Sequence, residues 1–143
     1  MAQASIDDDC VFCKIIKKEL PAAKVFEDDS TIAFIDIAPV NKGHILVIPK
    51  RHSETLLHMD QRDAMNLMKT TQAVADAVKK ATNADGVNIL MNNFKSAGQI
   101  VPHAHIHIIP RFKTDGLKHW PSQKYASNTE TEEYRRKIAD EMI

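Results

Sequence analysis

The sequence predicts an α+β fold, in which an antiparallel sheet of about five strands packs with one long helix and a shorter C-terminal helix. Short β-branched, apolar segments bounded by turn residues recur along the chain, as strands do. One stretch of about 20 residues instead has helical period. At 143 residues, with 43% apolar and 27% charged residues, the chain suits one globular domain spanning residues 1–143.

The first third of the chain predicts a lead segment, a short helix and three strands. Residues 1–9 are acidic and lack apolar periodicity, which predicts a disordered lead. Apolar residues at helical offsets predict a short helix within 10–19, and Pro21 closes it. The third strand is apolar on both faces, as a central strand is. The three strands are predicted at 25–27, 31–35 and 44–48.

The long helix begins after Asp60, which suits an N-cap, and keeps its helical period to near Asn83. Two further strands are predicted beyond it, at 86–92 and 103–109, joined by a polar loop. Residues 112–143 predict a C-terminal tail that is mostly loop, with a charged helix from about residue 130 to residue 142.

The last strand carries three histidines, His103, His105 and His107, alternating with apolar residues. A strand's period of two puts all three imidazoles on one face. They could be hydrogen-bonded core residues, metal ligands, or a nucleophile with proton-handling neighbours. Burial of three polar rings is costly, and no carboxylate flanks the triplet as metal hydrolases usually require. Nucleophilic attack on a phosphate leads these alternatives.

The loop before the triplet supports that preference. Asn92, Gly98 and Gln99 offer amide and backbone donors of the kind that bind phosphate oxygens. Cys10 and Cys13 are the chain's two cysteines, which excludes a disulfide framework. Their CxxC spacing suits half of a zinc site as well as a pair of reduced thiols beside the core.

Charge and hydropathy exclude several classes of partner. With 19 basic and 19 acidic residues the formal net charge is zero, so nothing favours duplex nucleic acid or an anionic membrane. No apolar run approaches the roughly 20 residues of a membrane span. The N-terminus lacks the apolar region of a secretory signal, which predicts a cytoplasmic location.

Residues 103–109 resemble the signature of the histidine-triad (HIT) family of nucleotide hydrolases and transferases. Residues 34–39 and 43–52 resemble the family's nucleotide-pocket strands. The segment from Asn92 to Gln99 falls where the family has its phosphate-binding loop. The resemblance extends from about residue 10 to residue 111, and the N-terminal CxxC is similar to the bacterial-type, Hint-like branch.

This resemblance implies a hydrolase that cleaves the α-phosphate bond of purine nucleoside phosphate derivatives, such as nucleoside phosphoramidates or dinucleoside polyphosphates. His105 would attack phosphorus to form a covalent nucleotidyl-histidine. His107 would donate to an α-phosphate oxygen, and His103 would lie toward the leaving group. No metal is required for this chemistry. The expected partners are an AMP- or GMP-type nucleotide and a second copy of the chain in a homodimer.

The resemblance also implies which residues contact the substrate. Asp36 would accept hydrogen bonds from the ribose hydroxyls. An apolar slot would hold the base, and the loop donors would share the phosphate charge. The slot is assigned to Phe34 and Ile37, and the phosphate contacts to Asn92, Gly98 and Gln99.

The resemblance also implies a structural zinc held by two thiolates and two imidazoles. The corresponding residues are Cys10, Cys13, His52 and His103, a set suited to tetrahedral zinc. His103 would then have a smaller part in leaving-group chemistry. His44, at the start of a strand leading to the pocket, is either a supporting residue of the triad or a core or surface histidine.

Two positions separate this chain from relatives. Ile100 stands where many phosphoramidase-branch members carry serine, which puts a preference for phosphoramidates in doubt. His107 stands where the nucleotidyl-transferase branch has glutamine, which favours hydrolysis over transfer. The competing interpretations are a non-catalytic nucleotide-binding or scaffold protein, and a metal-dependent hydrolase that uses the triad as ligands.

Overall fold

The computed structural model describes residues 7–142. Three α-helices and five strands follow one another in the chain, with short 3-10 turns at Leu56–His58 and Lys95–Ala97. In chain order the elements are α1 (Val11–Ile16), β1 (Lys24–Glu27), β2 (Thr31–Ile35), β3 (Ile45–Pro49), α2 (Gln61–Thr82), β4 (Gly86–Leu90), β5 (Ile106–Arg111) and α3 (Asn128–Asp140).

The five strands form one sheet in the order β1-β2-β3-β5-β4, and every neighbouring pair is antiparallel. The predicted α+β class and five-stranded antiparallel sheet are confirmed. β3 lies in the middle and is buried at every position, because both faces of the sheet are covered. Its apolar run on both faces indicated this central place. Leu46 of β3 and Leu90 of β4 pair with His107 of β5 from either side.

The sheet separates two apolar cores. On one face, β3 and β5 residues such as Val47 and Ile108 pack with Leu67 and Val74 of α2. On the other face, residues such as Phe34 and Leu46 pack with α1. Alternation along β2 and β3 sends neighbouring residues to opposite cores. Each fully buried side chain of this size contributes about 1.5–3 kcal/mol by leaving water.

Helix α2 begins and ends where its sequence signals predict. The Asp60 side chain accepts from the Arg62 backbone N–H as N-cap. Asn83 ends the helix with a φ of +54°, in the left-handed region that asparagine tolerates. Inside the core, the Thr31 and Thr70 hydroxyls are 2.7 Å apart and join the helix to β2.

The N- and C-terminal segments differ in how they relate to the sheet. The lead predicted for residues 1–9 lies mostly outside the described residues, and only its last three residues, in a turn before α1, are described. Helix α3 begins two residues earlier than the predicted 130 and has no buried residue. Within residues 7–142, every helix is too short or too polar to cross a bilayer.

One boundary differs from the prediction in a way that matters for the site. The strand expected over 103–109 begins at Ile106, so His103 and His105 lie in irregular backbone before β5. Here the Ala104 N–H donates to the Ser53 carbonyl at 2.7 Å instead of a sheet partner. The expectation that all three histidines lie on a strand is wrong. Their side chains nevertheless turn to the α1 face, while Ile106 and Ile108 join the α2 core.

Candidate active site

The three imidazoles of the triplet lie beside α1 and its Phe12. The Phe12 ring packs edge-on against His103 and His105, with centroids 5.8 and 5.2 Å away. The rings of His105 and His107 follow at 4.9 Å. His103 and His105 are buried and His107 is half-buried. The alternation of histidines and apolar residues thus places the three rings on one side of the sheet. Each ring lies in a different environment.

His105 is held by main chain. Its Nδ1 lies 2.7 Å from the His103 carbonyl oxygen, which only accepts, so Nδ1 carries the proton. Nε2 is then the ring nitrogen with a lone pair. Burial lowers the pKa of His105, opposed by the carbonyl bond and by the charge of Asp36. The result is a neutral imidazole of fixed tautomer, as a nucleophile requires.

His107 has its tautomer set through His44. The Val40 N–H donates to His44 Nδ1 at 3.1 Å, so the proton of neutral His44 is on Nε2. That Nε2 lies 2.9 Å from His107 Nδ1 and donates to it. His107 therefore carries its own proton on Nε2. Burial first, then the charges of His105 and His44, lower its pKa to about 4, so the ring is neutral at pH 7.

Asp36 follows β2 and faces the same pair. One carboxylate oxygen accepts from the Ala38 N–H at 2.8 Å, which fixes the side chain. The other lies 3.6 Å from His44 Nε2, beyond a good hydrogen bond. Desolvation lowers the pKa of His44, and the carboxylate opposes this. Asp36 thus keeps acceptor capacity toward the cleft that it lines.

A mostly apolar cleft of about 420 Å³ opens beside His105 and His107. This volume suits a small-molecule ligand. Phe34 contributes a buried wall, whereas Ile37 is 99% exposed and forms the rim. Both residues predicted for a base slot line this cleft. Further walls come from Phe12, Ile15, Pro21 and Leu46.

A second group of side chains, here named the sulfur cluster, consists of Cys10, Cys13, His52 and His103. One ligand atom from each lies within 4.8 Å of all the others. His103 Nδ1 is 3.3 Å from the Cys10 sulfur, 3.6 Å from the Cys13 sulfur and 3.1 Å from His52 Nδ1. Tetrahedral zinc with its usual bond lengths places neighbouring donors about 3.3–3.8 Å apart. The four residues fit that ion.

Hydrogen bonds around the sulfur cluster point the same way. His103 Nε2 donates to the Pro49 carbonyl at 2.9 Å, which leaves Nδ1 as the lone pair facing the sulfurs. The Cys13 N–H donates to the Cys10 sulfur at 3.4 Å, and the Asp7 N–H to the Cys13 sulfur at 3.4 Å. Burial raises the pKa of the Cys13 thiol to about 11. A nearby cation would favour the thiolate instead.

A third set of possible ligands, Asp36, His44 and His107, also lies close together. Here the hydrogen bonds account for the proximity. His44 Nδ1 accepts from the Val40 N–H, so its Nε2 carries a proton instead of offering a lone pair. A metal at this point would need the opposite tautomer. His107, the triad residue of this set, is therefore better suited to proton donation than to metal binding.

Comparison with known proteins decides the family. A family model described as the HIT domain matches residues 17–114, which is more than half of the chain. The chain belongs to the HIT family. The resemblance drawn from the sequence motifs is thereby confirmed. Among its relatives, the HIT protein named adenosine 5′-monophosphoramidase HNT1, from Saccharomyces cerevisiae, is 39% identical over 125 residues, covering 86% of this chain and 77% of that protein.

Adenylylsulfatase HINT3 of Arabidopsis thaliana is 41% identical over 120 residues, covering 84% of this HIT chain and 60% of that longer protein. Solved structures agree with the fold. A Streptococcus mutans UA159 protein matches with a TM-score of 0.93 and 40% identity, over 100% of this chain and 91% of that one. A zinc-bound histidine triad family protein from Mycobacterium smegmatis matches with a TM-score of 0.73 and 35% identity, over 80% and 84%.

In this HIT chain the predicted phosphate-binding donors are engaged within their own loop. The Gly98 N–H donates to the Lys95 carbonyl at 2.9 Å, and the Gln99 N–H to the Phe94 carbonyl at 3.2 Å. The Gln99 side-chain amide donates to the Val101 carbonyl at 3.0 Å. Gly98 has a φ of +95°, and a Cβ there would sit 3.4 Å from the Asn92 amide nitrogen. The loop is ordered by these bonds, and Gly98 and Gln99 border a neighbouring cavity instead of the cleft.

Sequence reasoning did not find every residue of the HIT site. Phe12 contacts two of the three triad rings, but the sequence indicated for it only a place in the short helix predicted within 10–19. His44 was given no definite role, although it fixes the tautomer of His107. A histidine opening a buried strand, in a chain whose other histidines form a chemical group, was the available signal.

Proposed function

We propose that this HIT protein is a nucleotide hydrolase that uses His105 as the nucleophile on the α-phosphorus of a nucleoside phosphate derivative. The observation that carries the proposal is the orientation of the His105 ring, with Nδ1 bound to the His103 carbonyl and Nε2 available at the cleft. The relatives named as an adenosine 5′-monophosphoramidase and an adenylylsulfatase support it.

The reaction proceeds in two displacements at phosphorus. His105 Nε2 forms a P–N bond as the bond to the leaving group breaks, and the leaving group departs with that electron pair and takes up a proton from solvent water. His107 Nε2–H donates to a non-bridging oxygen as negative charge builds there. Water then attacks phosphorus, the P–N bond breaks, and the nucleoside monophosphate and neutral His105 are released.

The rest of the cleft orients the nucleotide. Asp36 accepts from the ribose hydroxyls with the oxygen that its Ala38 contact leaves available. Phe34 and Ile37 flank the base. The amide of Asn92 supports the phosphate, and the N–H groups of Gly98 and Gln99 join it only by releasing the Lys95 and Phe94 carbonyls.

A covalent adduct tests this mechanism directly. Adenosine 5′-phosphoramidate is mixed with the protein, quenched within one turnover by denaturant at alkaline pH, where the P–N bond to histidine persists, and digested at alkaline pH for mass spectrometry. We expect an adenylyl group on His105, and none on His107 or on exposed His58. Turnover without any protein-bound adenylyl group would contradict the covalent mechanism and favour a metal-dependent hydrolase. Binding of AMP without turnover would favour a nucleotide-binding or scaffold protein.

The sulfur cluster is proposed to hold a structural zinc ion. The donor set of Cys10, Cys13, His52 and His103 and its spacing support this, as does the zinc-bound family member. Zinc would join α1 to the backbone before β5 and so fix the approach of His103 and His105. His103 then acts by position and not through the leaving group.

A homodimer is also proposed. Met65 and Met68, on the outer surface of α2, are 72% and 55% exposed, and β4 is a free edge of the sheet within the described chain. Exposed apolar side chains and an unpaired strand edge each favour association with a second copy. Sedimentation velocity at micromolar concentration should give twice the chain mass. A species of one chain mass would contradict this.

A further inference from the structure

Phe94 has a backbone conformation that its side chain does not favour. Its φ is +71° and its ψ is 157°, in a region that glycine adopts freely and other residues avoid. Glycine would be expected there on conformational grounds. The chain instead places a large aromatic ring at this position and leaves 49% of the residue exposed. A ring this exposed contributes little to the stability of the fold. The lower backbone strain of glycine at this position would offset that contribution.

The loop around Phe94 keeps the strained conformation in place. The Phe94 N–H donates to the Gln99 side-chain oxygen at 2.8 Å, and its carbonyl accepts from the Ala97 and Gln99 N–H groups. The Asn93 side chain accepts from the Leu56 N–H at 2.8 Å and ties the loop to the turn before α2. The ring of Phe94 extends from this hydrogen-bonded loop. It contacts the His58 ring edge-on at a centroid distance of 6.2 Å.

The ring borders a second cavity, of about 480 Å³, next to the cleft. Ile100 lines both spaces, and Gln99 and Pro102, shortly before the triad backbone, line this second cavity. The second cavity has one aromatic wall, Phe94, one cation, Lys95, and one carboxylate, Glu54. A substrate whose nucleoside fills the cleft would direct its leaving group across Ile100 into this cavity.

We infer that the second cavity binds the leaving group of the substrate and selects leaving groups that carry a planar aromatic ring, which stacks on Phe94. This rests on the proposed function. Stacking on a protein aromatic ring tolerates many ring systems, because each has a π face. Two sources supply such a ring: the base of a second nucleotide in a dinucleoside polyphosphate, or an aromatic amine in a phosphoramidate. Lys95 distinguishes them, since its charge serves the additional phosphates of the first source alone.

The test compares leaving groups on one nucleoside. The substrates are adenosine 5′-phosphoramidate, its tryptamine derivative, its cyclohexylethylamine derivative and diadenosine triphosphate. The wild-type protein should prefer tryptamine to cyclohexylethylamine in kcat/KM. Phe94→Leu should lower that preference about tenfold, as loss of one stacking contact does. Phe94→Tyr should preserve it. Phe26→Leu is the matched control, a half-exposed phenylalanine on the edge strand β1.

Phe94→Gly removes the ring in a variant that should still fold, because glycine adopts this φ without strain. It should lose the aromatic preference and fold at least as stably. An equal fall of kcat/KM on all four substrates, or an unchanged preference in both variants, would overturn the inference and leave the proposed function intact. If no substrate yields adenylyl-His105, the proposed function and the inference both fail. A loss in Lys95→Ala confined to diadenosine triphosphate supports a second nucleotide, and no loss supports an aromatic amine.

Discussion

His103 and His105 are two residues apart, lie on the same side of the sheet and are both buried, yet they are suited to different work. His103 donates from Nε2 to the Pro49 carbonyl, which turns the lone pair of Nδ1 toward two sulfurs. His105 donates from Nδ1 to the His103 carbonyl, which leaves the lone pair of Nε2 for the cleft. The two rings therefore have opposite tautomers.

The difference lies in which ring nitrogen a main-chain carbonyl occupies. Burial alone does not separate the two rings, since His103 is 0% exposed and His105 only 6%. In the sulfur cluster four possible ligand atoms lie within 4.8 Å of one another, whereas His105 lines the apolar cleft. A histidine surrounded by other donors suits a metal, and one with a single lone pair facing a ligand space suits nucleophilic attack.

The largest expected effect concerns His105, the histidine that lines the cleft. His105→Ala should lower kcat/KM for adenosine 5′-phosphoramidate by about 10⁴-fold or more, because the attacking atom is gone. Affinity for AMP, measured by calorimetry, should change little. His58→Ala, a substitution of an exposed histidine outside both groups, is the control and should keep full activity. Residual turnover within tenfold of wild type would assign the nucleophile elsewhere.

In the sulfur cluster, replacement of one side chain should affect the stability of the protein before it affects the chemistry. Cys13→Ser should abolish bound zinc, measured by elemental analysis, and lower the free energy of unfolding by more than about 3 kcal/mol, since loss of a metal ranks among the largest single-site effects. His105→Ala should retain its zinc. A zinc-free wild-type protein, or a Cys13→Ser variant as stable as wild type, would remove the distinction between the two groups.

A smaller effect concerns pH. The pKa of His107 is lowered to about 4 by burial and by His105 and His44, with Asp36 opposing. Between pH 6.5 and about 4, the unfolded chain binds a proton at this residue that the folded chain does not, so stability decreases as the pH falls through that window. In His107→Gln this contribution disappears. Urea unfolding at several pH values should show a shallower acid dependence for the variant, and parallel curves would contradict it.

The elements with strong local signals could be predicted from the sequence. Strand β2 was placed at its observed bounds, and Asp60 and Asn83 mark the two ends of α2 as predicted. The family and the α+β sheet are likewise confirmed. These features depend on residues close in the chain, so a short window contains the information that determines them.

Features that depend on distant backbone groups were harder to predict. Strand β5 starts late because the main chain at Ala104 bonds to Ser53. The phosphate donors expected at Gly98 and Gln99 are engaged locally, which depends on the exact turn formed after Phe94. His52 Nδ1 lies 3.4 Å from the Cys13 sulfur, although the two residues are far apart in the sequence. The motif resemblance had placed them in one ligand set, but no local pattern indicates this contact.

The late start of β5 also bears on how the site tolerates mutation. A carbonyl within a regular antiparallel strand would be committed to its neighbour, but the one at His103 is free to orient the imidazole two residues later. Because the orienting group belongs to the peptide unit, no side-chain replacement at position 103 deletes it. A substitution at position 103 therefore removes a sulfur-cluster ligand without removing the carbonyl that accepts from His105 Nδ1.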